Sequence, residues 1–561
     1  MLLALAIWGE SGGTQQLIKE VLQIPQHGGF KGSEADDKET DNRLTNVSTC
    51  LPKVADGHFT AAAKAISSSG VVPNNVETWK ALEDKHLTMP PPCMPTIPLH
   101  EAPLLAEEGI VLSCIKSFPK GTSCGKDGLR AQHLLDAFCG EGSTIAADLV
   151  TEITRMVNLW LSGTCPLSLA EFIASAPLTP LLKPDKSIQP IAVGTIWRRL
   201  VSKVAMKGVG KDMAAYLQNF QFGVGVSGGA EAILHAVNRY ISKHYADASL
   251  TMLIVDFTNA FNLVDQTTML LEVRKLCPSI SPWVEYLYGQ STRLYVGDYY
   301  IYSSTGVQQG DPLGPLLFAL VLHQLIAKVN KQCTLSLQAW YLDDGTIIGD
   351  TVEVAKALTI VQTEGPGLGL IMNIKKIEIF WPSCDGREVI DGMFPSGISR
   401  PGDGVKLLSD AVSLDDRFVK GLAVKRAEKA VDLMQVLSKL RDPQSELLLL
   451  RACMGISKLL FGLRIGCPEY TAEAVDIFDK GLREVVEGIM VCGGPFFGDL
   501  QWRLSTLPIR YGGLGLYTAK ETSYYAFLAS RVQSWGLQDH ILMDAGVEGM
   551  DENFHKALEA L

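Results

Sequence analysis

Apolar residues run without a break from Met252 to Val255 and stop at Asp256. A short run of this kind predicts a strand buried on both faces, with Asp256 delivered at its C-terminal end. A second β-prone stretch brackets two adjacent carboxylates. Trp340, Tyr341 and Leu342 precede Asp343, Asp344 and Gly345, and Ile347 and Ile348 follow them. This predicts a β-hairpin with Asp343, Asp344 and Gly345 at its turn. Between the two lies Gln308-Gln309-Gly310-Asp311-Pro312-Leu313-Gly314-Pro315, a loop punctuated by Gly and Pro that opens an apolar helix from Leu316 to Val329. Leu294 to Tyr302 alternates as half of another hairpin.

Helical periodicity dominates elsewhere. It predicts a helical stretch over 56–85, helices near 129–137, 145–161 and 196–217, and a helix from Gly229 to Tyr245. Long amphipathic helices follow over 411–490, and a helical tail over 498–535 is interrupted between Pro508 and Gly515. Two stretches break the pattern. Residues 26–45 are Gly-rich and charged and read as a disordered linker. Residues 87–104 hold Pro90, Pro91, Pro92, Pro95 and Pro98 and read as an extended one. The opening MLLALAIW is too short to span a bilayer and lacks a charged leader, so it reads as the ragged start of a truncated or mispredicted open reading frame, and no membrane association is expected.

With 561 residues, 47% of them hydrophobic, the chain supports a large core and several subdomains. Its net charge of −11 is the wrong sign for a nucleic-acid binder as a whole. Local charge alters that picture. Residues 197–211 hold Arg198, Arg199, Lys203, Lys207 and Lys211 with no acid, which favours a substrate-facing role. Residues 417–441 are basic but diluted by Glu428 and Asp432, so a phosphate track and a solvated helix face are equally good readings. The 12 cysteines form no CxxC pair, which argues against a zinc knuckle and leaves reduced thiols.

Neighbouring strand residues point to opposite faces, so Asp343 and Asp344 share a pocket only through a tight turn. Carboxylates gathered there without a cationic side chain repel one another unless a divalent ion sits between them and a third ligand. Asp256 supplies that third acid. One carboxylate on each of two neighbouring strands is the hardware for two-metal phosphoryl transfer. A solvated Asp-Asp-Gly turn and a helix-capping Asp256 are the plain alternatives.

Three blocks in order, Asp256-Phe257-Thr258-Asn259-Ala260-Phe261, Gln309 to Pro315, and Tyr341-Leu342-Asp343-Asp344, resemble a reverse transcriptase, more narrowly that of a non-LTR (LINE-type) retrotransposon. Residues 119–136, 177–204 and 221–236 resemble its fingers blocks, 367–382 the block with its palm lysine, and 404–410 its primer-grip strand. The resemblance spans about residues 105–530. It implies an α+β, right-hand polymerase fold whose palm is mainly antiparallel strands backed by helices. Its parts are an N-terminal extension (1–104), fingers (105–250), palm (251–410), thumb (411–490) and a C-terminal helical tail (491–561).

The implied activity is RNA-directed DNA synthesis from an RNA template, a DNA primer and dNTPs. The implied cofactor is Mg2+, with Mn2+ as a substitute, and the implied location is nuclear and cytoplasmic. Asp256, Asp343 and the Phe257 carbonyl would bind the metal, with Asp344 in support. Phe261 would lie beneath the sugar and exclude a 2′-hydroxyl. Asn259 and Ala260 would offer N–H groups to the triphosphate, Gln309 would bond near the sugar, and Gly310 would permit close backbone approach. Lys183 would reach the phosphates. Lys376, with Lys375 as rival, would protonate the leaving pyrophosphate.

The chain departs from the family at several places. Gln189 stands where the family has an arginine on the triphosphate, with Lys186 nearby as a weaker substitute. Ser409-Asp410 replaces the primer-grip Gly pair and sets a negative charge in the primer's path. Ile377 and Leu342 are milder changes. The segment before the fingers is too short for an endonuclease domain, and no RNase H acid set follows the thumb. The competing readings are a catalytically impaired relic or domesticated nucleic-acid-binding protein, an RNA-directed RNA polymerase, and an unrelated helical scaffold.

Overall fold

The computed structural model describes residues 38–561 apart from 69, 71, 73–74, 87–88, 140–144, 183–186, 298, 492–496, 544–545 and 548. The opening apolar segment and residues 26–37 of the expected linker therefore lie outside the described residues. Residues 38–45 do not form a linker: they begin a helix, Lys38–Ala55. The helix persists because its second half is anchored, with Cys50 and Val54 buried against the helices of residues 427–526.

Four strands make the central sheet. In chain order the strands are β1 (Ala176–Leu182), β2 (Ile188–Ala192), β3 (Leu250–Val255), β4 (Thr292–Val296), β5 (Tyr299–Ser303), β6 (Leu335–Tyr341), β7 (Asp344–Asp350), β8 (Glu378–Phe380), β9 (Val405–Leu407) and β10 (Asp410–Val412). The central sheet runs β6-β7-β3-β8, with every neighbour antiparallel. Alternation places Leu250 and Met252 in one cluster, with Ile233, Val237 and Ile241 of the helix Gly229–His244. Leu253 and Val255 fall in the other, with the apolar helix Gly314–Gln332 and the helix Thr351–Glu364. Covering on both faces explains why β3 reads as a continuous apolar run. The fold is mixed helix and sheet, with helices covering both faces of the central sheet.

A second sheet, β2-β1-β4-β5, stands beside it. Here Leu294–Tyr302 is not half a hairpin; it spans both strands, β4 and β5, paired antiparallel around Gly297. The predicted helices at 196–217 and 229–245 occur as Ile196–Leu217 and Gly229–His244. The helical stretch at 56–85 is two helices, Phe59–Ile66 and Val76–Glu83. They pack apart from each other. Ala62, Ala63 and Ile66 join the C-terminal helical core, while Leu82 and Trp79 cover β1, β2 and β4. Among the described residues no helix is long and apolar enough to cross a membrane.

Candidate active site

Pairing between β3 and β7 brings the distant acids together. Leu250 lies opposite Asp350 and Val255 opposite Gly345. One step further along this register stand Asp256 and Asp344. Past the strand end, the Asn373 N–H donates to the Asp256 carbonyl at 2.9 Å and the Thr258 N–H to the Ile371 carbonyl at 2.7 Å. The Phe257 carbonyl between them takes part in neither bond.

The hairpin turn falls one residue earlier than the sequence pattern predicts. Tyr341 pairs with Asp344, so Leu342 and Asp343 form the turn, and Asp344 and Gly345 already belong to β7. Gly345 is therefore not a turn glycine. It faces Trp340, and a β-carbon there would come within 2.4 Å of the indole ring. Trp340 is fully buried and stacks on Phe257, with centroids 6.1 Å apart and planes 13° apart. The same indole thus supports both acidic segments.

The three carboxylates share one electrostatic field. Burial, then the charge of Asp256, raises the pKa of Asp343. Asp344 keeps an exposed edge, yet desolvation of its carboxylate and the charges of Asp343 and Asp256 push it up to about 6. The Lys376 ammonium opposes both shifts and lies 3.7 Å from Asp256 Oδ2. Of the two candidate lysines, Lys376 is thus the one placed at the cluster. Asp256 Oδ1 is buried with no hydrogen-bond partner. Among the described residues no group of three or more His, Cys, Asp or Glu side chains is gathered closely enough to hold a metal ion as it stands. Like charges with one ammonium among them hold apart. The donor set is nonetheless all oxygen, with an orphaned carboxylate oxygen and acids that resist ionising. It fits a hard divalent cation, which would relieve both.

Residues 181–405 match the family model described as reverse transcriptase (RNA-dependent DNA polymerase). The chain carries a reverse transcriptase domain. A retrotransposable element SLACS 132 kDa protein from Trypanosoma brucei gambiense is 23% identical over 438 residues, covering 75% of this chain. The chain spans 34% of that curated relative's length. Among solved structures, apo telomerase from Candida tropicalis gives a TM-score of 0.35 at 13% identity, covering 69% of this chain and 66% of that one. An RNA-dependent RNA polymerase of a human picobirnavirus gives 0.37 at 11% identity, covering 82% and 88%.

Around the three acids, the remaining expected residues have distinct surroundings. Asn259 has φ +51° and precedes a four-residue helix, Ala260–Leu263. Its side chain donates to the Lys85 carbonyl and accepts from Asn262, both at 2.7 Å. Ala260 is buried. Phe261 is half-buried and stacks on Phe318 at 4.5 Å. Gln309 is exposed. Gly310 does meet a backbone, but it is the protein's own: a β-carbon there would lie 2.6 Å from the Ala192 carbonyl. Lys183 and Lys186 lie outside the described residues. Gln189 sits on β2 opposite Leu181.

Two charge readings are corrected. The basic run 197–211 does not present its arginines to a substrate. Arg198 and Arg199 are buried. Arg198 bonds the Ala174 carbonyl, Tyr288 and Asp311, and Arg199 bonds the Ser123 carbonyl. Lys203 and Lys207 donate to the Ser117 carbonyl and Ser113 Oγ. The helix turns its two arginines inward because carbonyls and the Asp311 carboxylate compensate them, while Lys207 and Lys211 stay exposed. Asp410 does not project into a primer path either. It is buried, and Arg426 Nη1 lies 2.8 Å from its Oδ2. That arginine comes from the basic run 417–441, where Arg417 and Lys420 also face acids, Asp415 and Asp416. The β9–β10 turn is Leu408-Ser409, both with positive φ, where a Gly pair would sit without strain.

Sequence reasoning missed Gln221. Its carboxamide is buried against the Leu342-Asp343 turn, and only its place in a fingers-like block marked the segment.

Proposed function

We propose that this domain performs RNA-directed DNA synthesis, extending a DNA primer on an RNA template with dNTPs and Mg2+, for which Mn2+ substitutes. The observation that carries this reading is the β3–β7 register, which sets Asp256 beside Asp343-Asp344 within a segment matching the reverse transcriptase family. Asp256, Asp343 and the Phe257 carbonyl would hold the metal, whose chemistry there is Lewis-acid activation and neutralisation of phosphate charge. Asp344, ionising only near pH 6, supports the site.

Lys376, 3.7 Å from Asp256, is placed to pass a proton to a phosphate oxygen leaving beside the acids. The first N–H groups of the helix at Asn259 and Ala260 lack helical acceptors and suit a triphosphate. Phe261, held by Phe318, would bar a 2′-hydroxyl. Gln309 stands open to solvent for the sugar, with Gly310 locking its loop against β2. Lys183 would contact phosphate from the fingers.

The test is primer extension on an RNA template with Mg2+, wild type against Asp343→Asn. Template-dependent dNTP incorporation that Asp343→Asn abolishes is the expected result. Incorporation at background in both sinks the reading. Preference for NTPs over dNTPs would replace it with RNA synthesis.

A further inference from the structure

Leu342, the residue before Asp343, has φ +56°. A β-carbon-bearing residue avoids this region, and a two-residue hairpin turn with positive φ at its first position normally places glycine there. The chain holds leucine in that conformation by an unusual device. Residues 220–222 run parallel to β6: the Trp340 N–H donates to the Phe220 carbonyl at 2.7 Å and the Phe222 N–H to the Trp340 carbonyl at 2.8 Å. This pairing carries the fully buried Gln221 side chain to the turn. Its Oε1 accepts from the Leu342 N–H at 2.7 Å and from the Gly223 N–H at 3.0 Å. Its Nε2 donates to the Leu342 carbonyl at 3.1 Å. Only one orientation of the amide satisfies two N–H donors and one carbonyl, so the assignment is determined by its partners. Gly223 completes the fit, because a β-carbon there would lie 2.8 Å from both the nitrogen and Cγ of Leu342.

We propose that Gln221 is a positioning residue of the polymerase site: by gripping both backbone polar groups of Leu342 it fixes the turn that aims Asp343. The inference rests on the proposed DNA synthesis for its kinetic readout and stands apart from it for its structural one. The hydrogen bonds of Gln221 end at the backbone of Leu342 and Gly223, so it acts through the turn. A side chain of similar length without hydrogen-bonding groups leaves the packing and removes the grip, so Gln221→Met is the informative change. A second change, Leu342→Gly, supplies a residue that tolerates positive φ without assistance.

The experiment compares wild type, Gln221→Met, Leu342→Gly and the double variant in the full chain, with thermal melting recorded alongside. In Gln221→Met, kcat for dNTP incorporation falls roughly ten- to a hundredfold with KM little changed, since orientation rather than binding is lost. Adding Leu342→Gly restores much of that loss. Hydrogen exchange over residues 340–346, read by mass spectrometry without substrate or metal, quickens in Gln221→Met. An unchanged kcat, a loss without rescue that follows a lowered melting temperature, or unchanged exchange each overturns the proposal. If the wild type makes no DNA, the polymerase reading fails while the exchange measurement still decides the grip.

Discussion

Arg198 and Asp311 form an ion pair of 3.0 Å with both side chains out of solvent, and it ties the long helix Ile196–Leu217 to the Gln309-Gly310-Asp311-Pro312 loop. Tyr288 adds a hydroxyl donor to the same Asp311 oxygen at 3.2 Å, and the Leu313 N–H donates to the other at 3.0 Å. Removing one member leaves a buried charge without compensation. Asp311→Ala is expected to cost about 3–5 kcal/mol in urea unfolding, whereas Arg198→Met with Asp311→Leu recovers most of it.

Gly345 leaves room for the Trp340 indole, and the nearest approach of an added β-carbon would be to the ring's rigid edge. Gly345→Ala should cost about 1–3 kcal/mol and shift the tryptophan emission, because Trp340 must leave its stack on Phe257. The same change should lower divalent-ion affinity, since that indole supports both acidic segments.

The acids make ion binding depend on pH. Asp344 holds its proton up to about pH 6, above its unfolded value, so the ion-free fold loses stability as pH rises from about 4 to that point. An entering ion must displace the proton. Apparent Mn2+ affinity, followed by electron paramagnetic resonance, should climb by up to about tenfold per pH unit below 6 and level off above it. Asp344→Asn should flatten that slope.

Lys376 competes with a cation for Asp256. Lys376→Met should bind Mn2+ about two- to fivefold more tightly, the modest gain expected of a largely exposed ammonium. If Lys376 also donates the proton to pyrophosphate, kcat falls in the same variant, so binding and turnover move in opposite directions.

His86 is buried, its Nε2 has no hydrogen-bond partner, and burial with the adjacent Lys85 lowers its pKa to about 4. The unfolded chain takes up this proton near pH 6.5 and the folded one does not. Stability is therefore full above 6.5 and falls with decreasing pH, by about 3 kcal/mol at pH 4. Urea titrations at pH 7 and pH 4.5 should show a smaller drop for His86→Gln.

How much of this was legible depended on the range of the interaction. Asp256 at a strand end could be read because β3 is apolar on both faces, and the Asp343 hairpin because its flanks are β-prone. The helix at Leu316–Val329 was legible for the same local reason. The turn position was misread by one residue because glycine after two aspartates suggests a turn, whereas Gly345 answers to Trp340 across the hairpin. The burial of Arg198 and Arg199 was not legible, since their partners at Ala174, Asp311 and Ser123 are remote in sequence. Asp410 was misjudged likewise, because Arg426 comes from the following helix. The grip of Gln221 on Leu342 joins residues more than a hundred positions apart and leaves no periodic trace.

The bond from Asn259 to the Lys85 carbonyl makes the segment that follows the helix Val76–Glu83 a strut for the Asn259 loop. The family match begins at residue 181, inside β1, and a fragment cut there would split that strand and strip Trp79, Leu82 and Lys85 from their seats. If the proposed synthesis holds, such a shortened fragment would perform poorly with Asp256, Asp343 and Asp344 intact, and its weakness would be misassigned to chemistry when it belongs to lost scaffolding.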